Sequence, residues 1–263
     1  MVRRLIIEEP PSRLANWSRS LALFALAVAL LAVILVRGNL VEAVPGFVVL
    51  ASALAVATVA VVMALGAFVV IWRNGNPGFG RALLAFVLSG AIVAYPAYLG
   101  ARNIRAPAIS DITTDTADPP RFEAIARVRL RDANPIAYAG AEAAERQRAA
   151  YPDIGPLQTT AAPDEAYAAA LEVLNGRKWR VVDARTPQAG RRDGRIEAVA
   201  RTPIMGFRDD VVVRVRRSGS GARIDIRSAS RYGRQDFGSN ARRIRGLLEE
   251  IEETVGVQPA ASQ

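Results

Sequence analysis

The first hundred residues are dominated by three long runs of apolar residues that carry no charge. The runs lie at about residues 20–36, 46–72 and 82–99, separated by short loops that contain arginine, glycine or proline. At the rise of an α-helix, the second run alone would measure about 40 Å, enough to cross a hydrocarbon core of about 30 Å with some tilt. The pattern therefore predicts three transmembrane helices within a membrane region that spans residues 1–100.

The residues after the first run indicate an uncleaved anchor rather than a signal peptide. A secretory signal usually has an apolar core of about 7 to 15 residues followed by a small-x-small cleavage site. Here Arg37, Gly38 and Asn39 follow the apolar run directly. We therefore expect the first helix to remain in the membrane.

Arginine residues near the ends of the runs predict the orientation of the chain. Six lie in the N-terminal arm and the second loop, and three lie on the opposite side: Arg3, Arg4, Arg13, Arg19, Arg73 and Arg81 against Arg37, Arg102 and Arg105. Because positively charged loops tend to stay in the cytoplasm, this bias predicts a cytoplasmic N-terminus and an extracytoplasmic C-terminal domain.

The three runs contain no Asp, Glu, Lys, Arg or His. Transporters and proton relays normally place such side chains inside the bilayer, because something must bind or carry the charge. The membrane region is therefore expected to be an anchor or a packing partner for other helices.

Beyond residue 157 the pattern of apolar positions predicts an α+β domain over residues 157–263. Pro163 at a first helical position and Asn175-Gly176 at the end predict a helix over residues 163–175. A stripe of apolar residues at three- and four-residue spacing predicts a final helix over about 239–255. Between the helices, alternation and turn residues predict four strands, at residues 179–185, 195–201, 210–217 and 222–231.

Alternation along these strands separates two faces of the predicted sheet. One face carries apolar side chains, namely Ile196, Ala198, Ala200, Val211, Val213, Val215, Ile224 and Ile226. The opposite face is rich in arginine and carries Arg195, Glu197, Arg201, Arg214, Arg216, Arg223, Asp225, Arg227 and Arg231. The fold class is therefore a three-helix transmembrane region followed by an α+β domain, with an antiparallel sheet of about four strands and helices on one face. We expect the arginine-rich face to meet solvent or a binding partner.

Residues 101–156, between the two regions, are predicted to form a connector with short elements. The stretch is rich in proline, aspartate and alanine. Its local pattern indicates an extended segment over 109–115 and helices over 121–131 and 141–150.

Composition excludes several kinds of chemistry. The chain has no Cys and no His, and 34 basic residues against 25 acidic ones. Disulfides, thiolate or imidazole zinc sites and histidine-dependent catalytic triads are therefore excluded. The sequence identifies no catalytic, cofactor-binding or metal-binding residue.

Two polar segments are the candidates for binding an anion or a partner. One leads into the third predicted strand, and the other joins the last strand to the last helix. A strand-to-helix loop brings hydroxyl groups, guanidinium groups and the free N–H groups of a helix start together, which suits an anion. The candidate residues are Arg208, Asp209, Asp210, Arg227, Ser228, Ser230, Arg231, Asp236 and Asn240.

A structural role for the same residues is the alternative. Asp236 or Asn240 could cap the last helix, and the arginines could pair with the aspartates to brace the loop. A nucleophilic role for Ser228 or Ser230 is disfavoured, because neither lies in a GxSxG motif and the single lysine does not stand at an SxxK spacing.

The pattern RSxSRxGxxDxGxNxxR, from Arg227 to Arg243, resembles the signature of the domain of unknown function 1499 family. The resemblance extends over about residues 151–253. The connector, with its Thr-Thr-Asp and Asp-Pro-Pro sequences, resembles the longer form of that family, in which membrane spans precede the domain. Because the family has no established activity, the resemblance implies a domain and a bacterial or plastid context and supplies no catalytic residue.

The leading hypothesis is a non-enzymatic protein of the bacterial inner membrane whose domain binds an anionic small molecule, a lipid headgroup or a membrane protein partner. One alternative is a hydrolase that uses Asp and Ser with arginine anion clamps, and another is an accessory subunit of a membrane complex. Nucleic acid is not an expected partner, because the domain is predicted outside the cytoplasm and its basic face lacks interleaved aromatic residues.

Overall fold

The computed structural model describes residues 12–102, 107–129, 132–188 and 192–257. Several predictions fall outside these ranges: Arg3, Arg4 and Arg105 of the orientation argument, positions 130–131 of the helix predicted over 121–131, and the end of the domain after residue 257.

The three predicted transmembrane helices are present, and each is longer than its apolar run. They are α1 (Arg13–Arg37), α2 (Ala43–Asn74) and α3 (Phe79–Arg102). All three are long and apolar enough to cross a membrane. The added turns contain flanking arginines and Trp17, because the hydrogen-bonded backbone of a helix can continue past the end of its apolar stretch.

Small residues lie where these three helices meet. Their buried positions are mostly alanine, and the large apolar side chains point outward, where lipid would surround them. A Cβ atom added at Gly46 of α2 would lie 2.1 Å from a Val36 methyl group of α1. Glycine at this position therefore permits the close approach of the two helices.

Within the described residues, the four predicted strands form most of a six-stranded antiparallel sheet, with β3 at one edge. They are β3 (Arg180–Arg185), β4 (Gly194–Arg201), β5 (Arg208–Ser218) and β6 (Gly221–Ser230), in the spatial order β3-β4-β5-β6. Two short strands that the pattern did not distinguish as part of this sheet, β1 (Asp111–Thr113) and β2 (Leu157–Thr159), both pair with the outer edge of β6.

Two helices cover the apolar face of the sheet, as predicted. They are α6 (Pro163–Gly176) and α7 (Ser239–Val257). Leu174 of α6 and Ile244, Leu247 and Ile251 of α7 are fully buried against the predicted apolar set of the strands. This layer holds the main hydrophobic core of the domain.

The segment predicted as a connector lies in the same compact unit as the sheet. Besides β1 and β2 it forms α4 (Ala124–Val128) and α5 (Ala141–Ala150). Gln147 of α5 bonds to both backbone groups of Thr113 in β1: its side-chain oxygen accepts from the N–H, and its nitrogen donates to the carbonyl oxygen. The side chain of Gln147 thereby takes the place that a further strand would occupy at this edge.

The expectation that the arginine-rich face meets solvent or a partner is wrong for most of that face. Phe122 and Ile125, from the segment around α4, pack on Val199, Val212 and Ala229 of the sheet. Glu197 and Asp225 are fully buried, and Arg227 is only 2% exposed. Alternation identified the polar face correctly but could not show that oppositely charged groups from residues 107–138 cover it.

Truncation of the buried α7 stripe should destabilise the domain strongly. We expect Leu247→Ala to lower the free energy of unfolding by about 2–5 kcal/mol, because it leaves a cavity in the core. The control Glu249→Ala, at an exposed position of the same helix, should change it by less than about 0.5 kcal/mol.

The measurement is urea unfolding of the full chain in detergent, followed by the fluorescence of Trp179, which packs against this core. Trp17 and Trp72 are replaced by phenylalanine so that Trp179 is the single tryptophan. Equal effects of the two alanine substitutions would contradict the described core.

Candidate functional site

Seven of the nine predicted site residues lie on or beside β5 and β6 and divide between the two faces of the sheet, whereas Asp236 and Asn240 lie in the following loop and at the start of α7. Asp209, Ser228 and Ser230 point toward the helices, because Asp209 stands opposite Ser230 in the register of β5 and β6. Asp210, Arg227 and Arg231 alternate with them and point toward the α4 side. Adjacent Asp209 and Asp210 therefore face apart and share no proton.

On the helix side, Asn240 at the start of α7 connects the two serines. Its side-chain oxygen accepts from Ser228 Oγ at 2.8 Å, and its nitrogen donates to Ser230 Oγ at 3.0 Å and to the Ser110 carbonyl oxygen at 3.0 Å. Asn240 and Ser228 are fully buried. A short polar cluster therefore joins the end of β6, the start of α7 and the segment before β1.

Arg243 completes this cluster on the helix side. It donates to Ser228 Oγ at 2.8 Å, to Asn240 Oδ1, and to the Asp209 carboxylate. Its guanidinium carbon also lies 5.9 Å from the centre of the Trp179 ring. Arg243 was part of the signature pattern but was not among the predicted contacts, and its spacing one turn after Asn240 was the signal that could have identified it.

Asp236 caps α7, which is the structural alternative predicted for it. Its two carboxylate oxygens accept from the backbone N–H groups of Gly238 and Asn240, at 2.8 and 2.7 Å. Burial raises the pKa of the Asp236 carboxyl despite these bonds. Both oxygens are engaged by the helix start, as expected of a cap.

On the α4 side, Arg227 is enclosed by partners from the covering segment. It forms a bidentate pair with Asp111, at 2.9 and 2.7 Å, and donates to the carbonyl oxygens of Pro120 and Ile136. The Phe122 and Tyr138 rings lie 4.8 and 5.5 Å from its guanidinium carbon. The partner of Arg227 is therefore Asp111 of β1 and not, as expected, an aspartate of the loop.

Further along the same face, three arginines and three aspartates form a network that the sequence pattern did not predict. Its members are Arg214, Arg216, Arg223, Asp115, Asp118 and Asp225. Asp115 accepts from the guanidinium groups of Arg223 at 2.8 Å and Arg216 at 2.9 Å. The available signal was the charge of the two segments: the covering residues 111–118 contain three aspartates, and the sheet face opposite them is rich in arginine.

Glu197 shows how the same face holds α4. Its carboxylate oxygens accept from the backbone N–H groups of Glu123, Ala124 and Ile125, at 2.8, 3.1 and 2.8 Å. Because Glu197 is fully buried, these bonds replace the water that its charge would otherwise require.

Near the start of β5, Asp210 is fully buried between two arginines. Arg231 donates to Asp210 Oδ1 at 2.8 Å, and Arg129 Nε lies 3.0 Å from Asp210 Oδ2. Burial raises the pKa of the Asp210 carboxyl, and the Arg231 guanidinium opposes this rise. Arg208, also on this face, is half-buried, and burial together with the charges of Arg231 and Arg201 lowers the pKa of its guanidinium.

The polar groups therefore engage one another more than they could engage a substrate. Ser228 Oγ and Ser230 Oγ are bonded to an amide and, for Ser228, to a guanidinium group, so neither contacts a carboxylate that could accept its proton. Within the described ranges there is also no group of three acidic side chains arranged to hold a metal ion. The geometry favours a structural brace over a nucleophilic centre.

Comparison with known proteins agrees with the signature. The profile of the family described as "Protein of unknown function (DUF1499)" matches residues 111–251, which is more than half of the chain. The chain belongs to this family. The match begins at β1, so the family domain includes the segment that covers the charged face. No curated protein and no solved structure gives a significant match.

Loss of the Arg243 charge should leave Asp209 buried without its partner. The Asp209 side chain is 3% exposed. We therefore expect Arg243→Gln to lower the free energy of unfolding by about 3–5 kcal/mol. Arg242→Gln, which removes the same charge from an exposed neighbour, is the control and should have little effect.

The double variant Asp209→Asn with Arg243→Gln should be less destabilised than the sum of its single variants, because it leaves no unpaired charge. Urea unfolding followed by Trp179 fluorescence measures the stability of wild type, the two single variants and the double variant. Additive effects would show that the two side chains do not interact.

Acid should remove the contribution of Asp115. Burial raises the pKa of its carboxyl, but the backbone N–H of Asp118 and the guanidinium of Arg223, with other donors, outweigh burial and hold it below the ordinary value. A lowered pKa in the folded protein stabilises the fold above the unfolded value of about 3.9, and this stabilisation is lost as pH falls below it.

Wild type should therefore exceed Asp115→Asn in the free energy of unfolding at neutral pH, and the difference should shrink below about pH 4. The same substitution at exposed Asp132 is the control and should produce little pH-dependent difference. A difference between wild type and Asp115→Asn that is constant from neutral to acid pH would contradict the described network.

Proposed function

We propose that this protein is a membrane-anchored, non-enzymatic binding module of the bacterial inner membrane, with its N-terminus in the cytoplasm and its family domain on the extracytoplasmic side. The domain binds an anionic ligand, and the three helices hold it in the bilayer. The ligand carries phosphate or carboxylate groups, because arginine is the ionisable side chain that the domain supplies in excess.

The proposal that the protein is not an enzyme rests on one observation: the polar side chains of the signature form hydrogen bonds with other groups of the domain. Ser228, Ser230, Asp209 and Asp236 were the groups available for nucleophilic or acid–base work. Each is held by an amide, a guanidinium group or backbone N–H groups of the domain. A hydrolase would need one of them paired with a base or open to substrate. The described arrangement supports a non-enzymatic role instead.

The anchoring part is supported by the exposed surface of the three helices. Their large apolar side chains point outward, as shown by Phe24, Ile34 and Phe47, each about 60% exposed. A surface of this kind is stable when lipid surrounds it. The arginine bias of the loops supports the orientation.

Fusions to the full chain test the orientation. Alkaline phosphatase attached after residue 263 should be active, because it reaches the extracytoplasmic side, and a green fluorescent protein at the same position should be dark. The same fusions in the loop between α2 and α3, after Asn76, should give the opposite pair of results. If alkaline phosphatase is active only at the loop position, the proposed orientation is wrong and the C-terminal domain lies in the cytoplasm.

Ligand binding is tested by thermal unfolding of the full chain in nanodiscs of zwitterionic lipid, at constant ionic strength. The probes are inorganic phosphate, phosphorylated sugars, acetate and cell-wall fragments, with chloride as the reference anion. We expect saturable stabilisation by at least one class and no consumption of it, both unchanged in Ser228→Ala relative to its own baseline. Turnover of a probe that Ser228→Ala abolishes would overturn the non-enzymatic proposal, and a chain that no probe stabilises would overturn the binding proposal.

A further inference from the structure

Arg129, at the end of α4, is a buried cation whose hydrogen bonds are incomplete. Its side chain is 6% exposed, and among the described residues Nε and Nη2 have no hydrogen-bond partner. The Nε atom lies 3.0 Å from Asp210 Oδ2, but that oxygen also lacks a hydrogen bond, so the contact is electrostatic rather than directional. A buried guanidinium group with unsatisfied donors costs free energy, which a suitable acceptor would recover.

Arg129 adds a positive charge to a group of side chains that is otherwise balanced. Burial lowers the pKa of Arg129, and the charges of Arg231 and Arg227 lower it further, while Asp210 and Asp111 act in the opposite direction. Asp210 is already shared with Arg231, through a contact of 2.7 Å. A single carboxylate thus stands between two guanidinium groups, and a positive charge is left over.

The strand ends add more positive charge at the same place. Arg201 stands directly opposite Arg208 in the register of β4 and β5, and the N–H of Arg231 donates to the carbonyl oxygen of Arg208 at 3.3 Å. Like charges directly opposite each other in an antiparallel pair destabilise a sheet unless something compensates them. Arg201 and Arg208 make other interactions as well, and their part in the argument is their charge.

Exposure increases outward across this group. Arg129 and Arg231 are buried, Arg208 is half-buried and Arg201 is exposed. An anion could therefore meet Arg201 first and reach the unsatisfied donors of Arg129 after it. Guanidinium groups bind phosphate through paired N–H donors, and several of them together suit a group that carries more than one negative charge.

We infer that Arg129, Arg208 and Arg231 form a binding site for a phosphate group, with Arg201 at its rim. This inference rests on the proposed function and gives its anionic ligand a chemical class and a place. The phosphate could belong to a soluble phosphate ester or to a lipid headgroup, since both present the same terminal oxygens. The site lies on the α4 side of the sheet and is separate from the serine, asparagine and Arg243 cluster on the other side.

The test measures the affinity of the full chain for inorganic phosphate and for glycerol phosphate, by calorimetry in nanodiscs of phosphatidylcholine at constant ionic strength. The decisive variant is Arg129→Gln, which leaves the Arg231–Asp210 pair in place. Arg127→Gln is the matched control, because it removes the same charge from an exposed position of α4. Nanodiscs that also contain phosphatidic acid distinguish a lipid headgroup from a soluble ester.

We expect Arg129→Gln to weaken phosphate binding at least tenfold and Arg127→Gln to change it less than twofold. Should Arg129→Gln fail to fold, Arg208→Gln is measured in its place with the same expectation. Competition by phosphatidic acid would assign the site to a headgroup, and its absence would assign it to a soluble ester; both outcomes support the site.

Equal weakening by Arg129→Gln and Arg127→Gln would overturn the inference, because it would indicate attraction by net charge alone. Stabilisation of wild type by another anion but not by phosphate would also overturn it, while leaving the proposed binding function in place. Failure of every anion to bind would overturn both.

Discussion

The domain depends on the pairing of buried charges between the sheet and the segment that covers its polar face. Arg227 pairs with Asp111, and Arg214, Arg216 and Arg223 pair with Asp115 and Asp225. The side chains of Arg227, Arg214, Asp115 and Asp225 are at least nine-tenths buried. An isolated charge at one of these four positions would cost several kcal/mol, so the covering segment and the sheet stabilise each other. The covering segment is thus fixed mainly by charge complementarity, with Phe122 and Ile125 adding a small apolar contact.

This constraint changes the meaning of the family signature. Its serines, asparagine and arginines resemble an anion site when they are considered along the chain. In the folded domain, Asn240 and Arg243 instead connect β6 and β5 to the start of α7, and Asp236 caps that helix. The cluster on the helix side and the charge network on the α4 side hold the sheet between two different layers. Where the network is incomplete, around Arg129, the domain has spare positive charge, and that is where a ligand is proposed.

Much of the fold could be predicted because it depends on local periodicity. Local patterns predicted the three apolar helices, the apolar stripe of α7 and the strands β4 to β6, and the structure contains all of these elements. The candidate site was harder. Alternation along β5 places Asp209 and Asp210 on opposite faces, but Arg227 and Arg223 pair with Asp111 and Asp115, which lie more than a hundred positions away in the chain. No local pattern specifies which aspartate meets which arginine.

By itself, then, the sequence determined which segments are helices and strands and which faces are apolar. The reason is that helices and strands each place side chains on one face with a fixed spacing, and apolar residues follow that spacing. It also excluded cysteine and histidine chemistry outright. Only the tertiary structure decided that β1 and β2 join the sheet, that the arginine-rich face is buried, and that Arg129 is short of partners. These features arise when segments distant in the chain must satisfy one another's charges and hydrogen bonds in the absence of water.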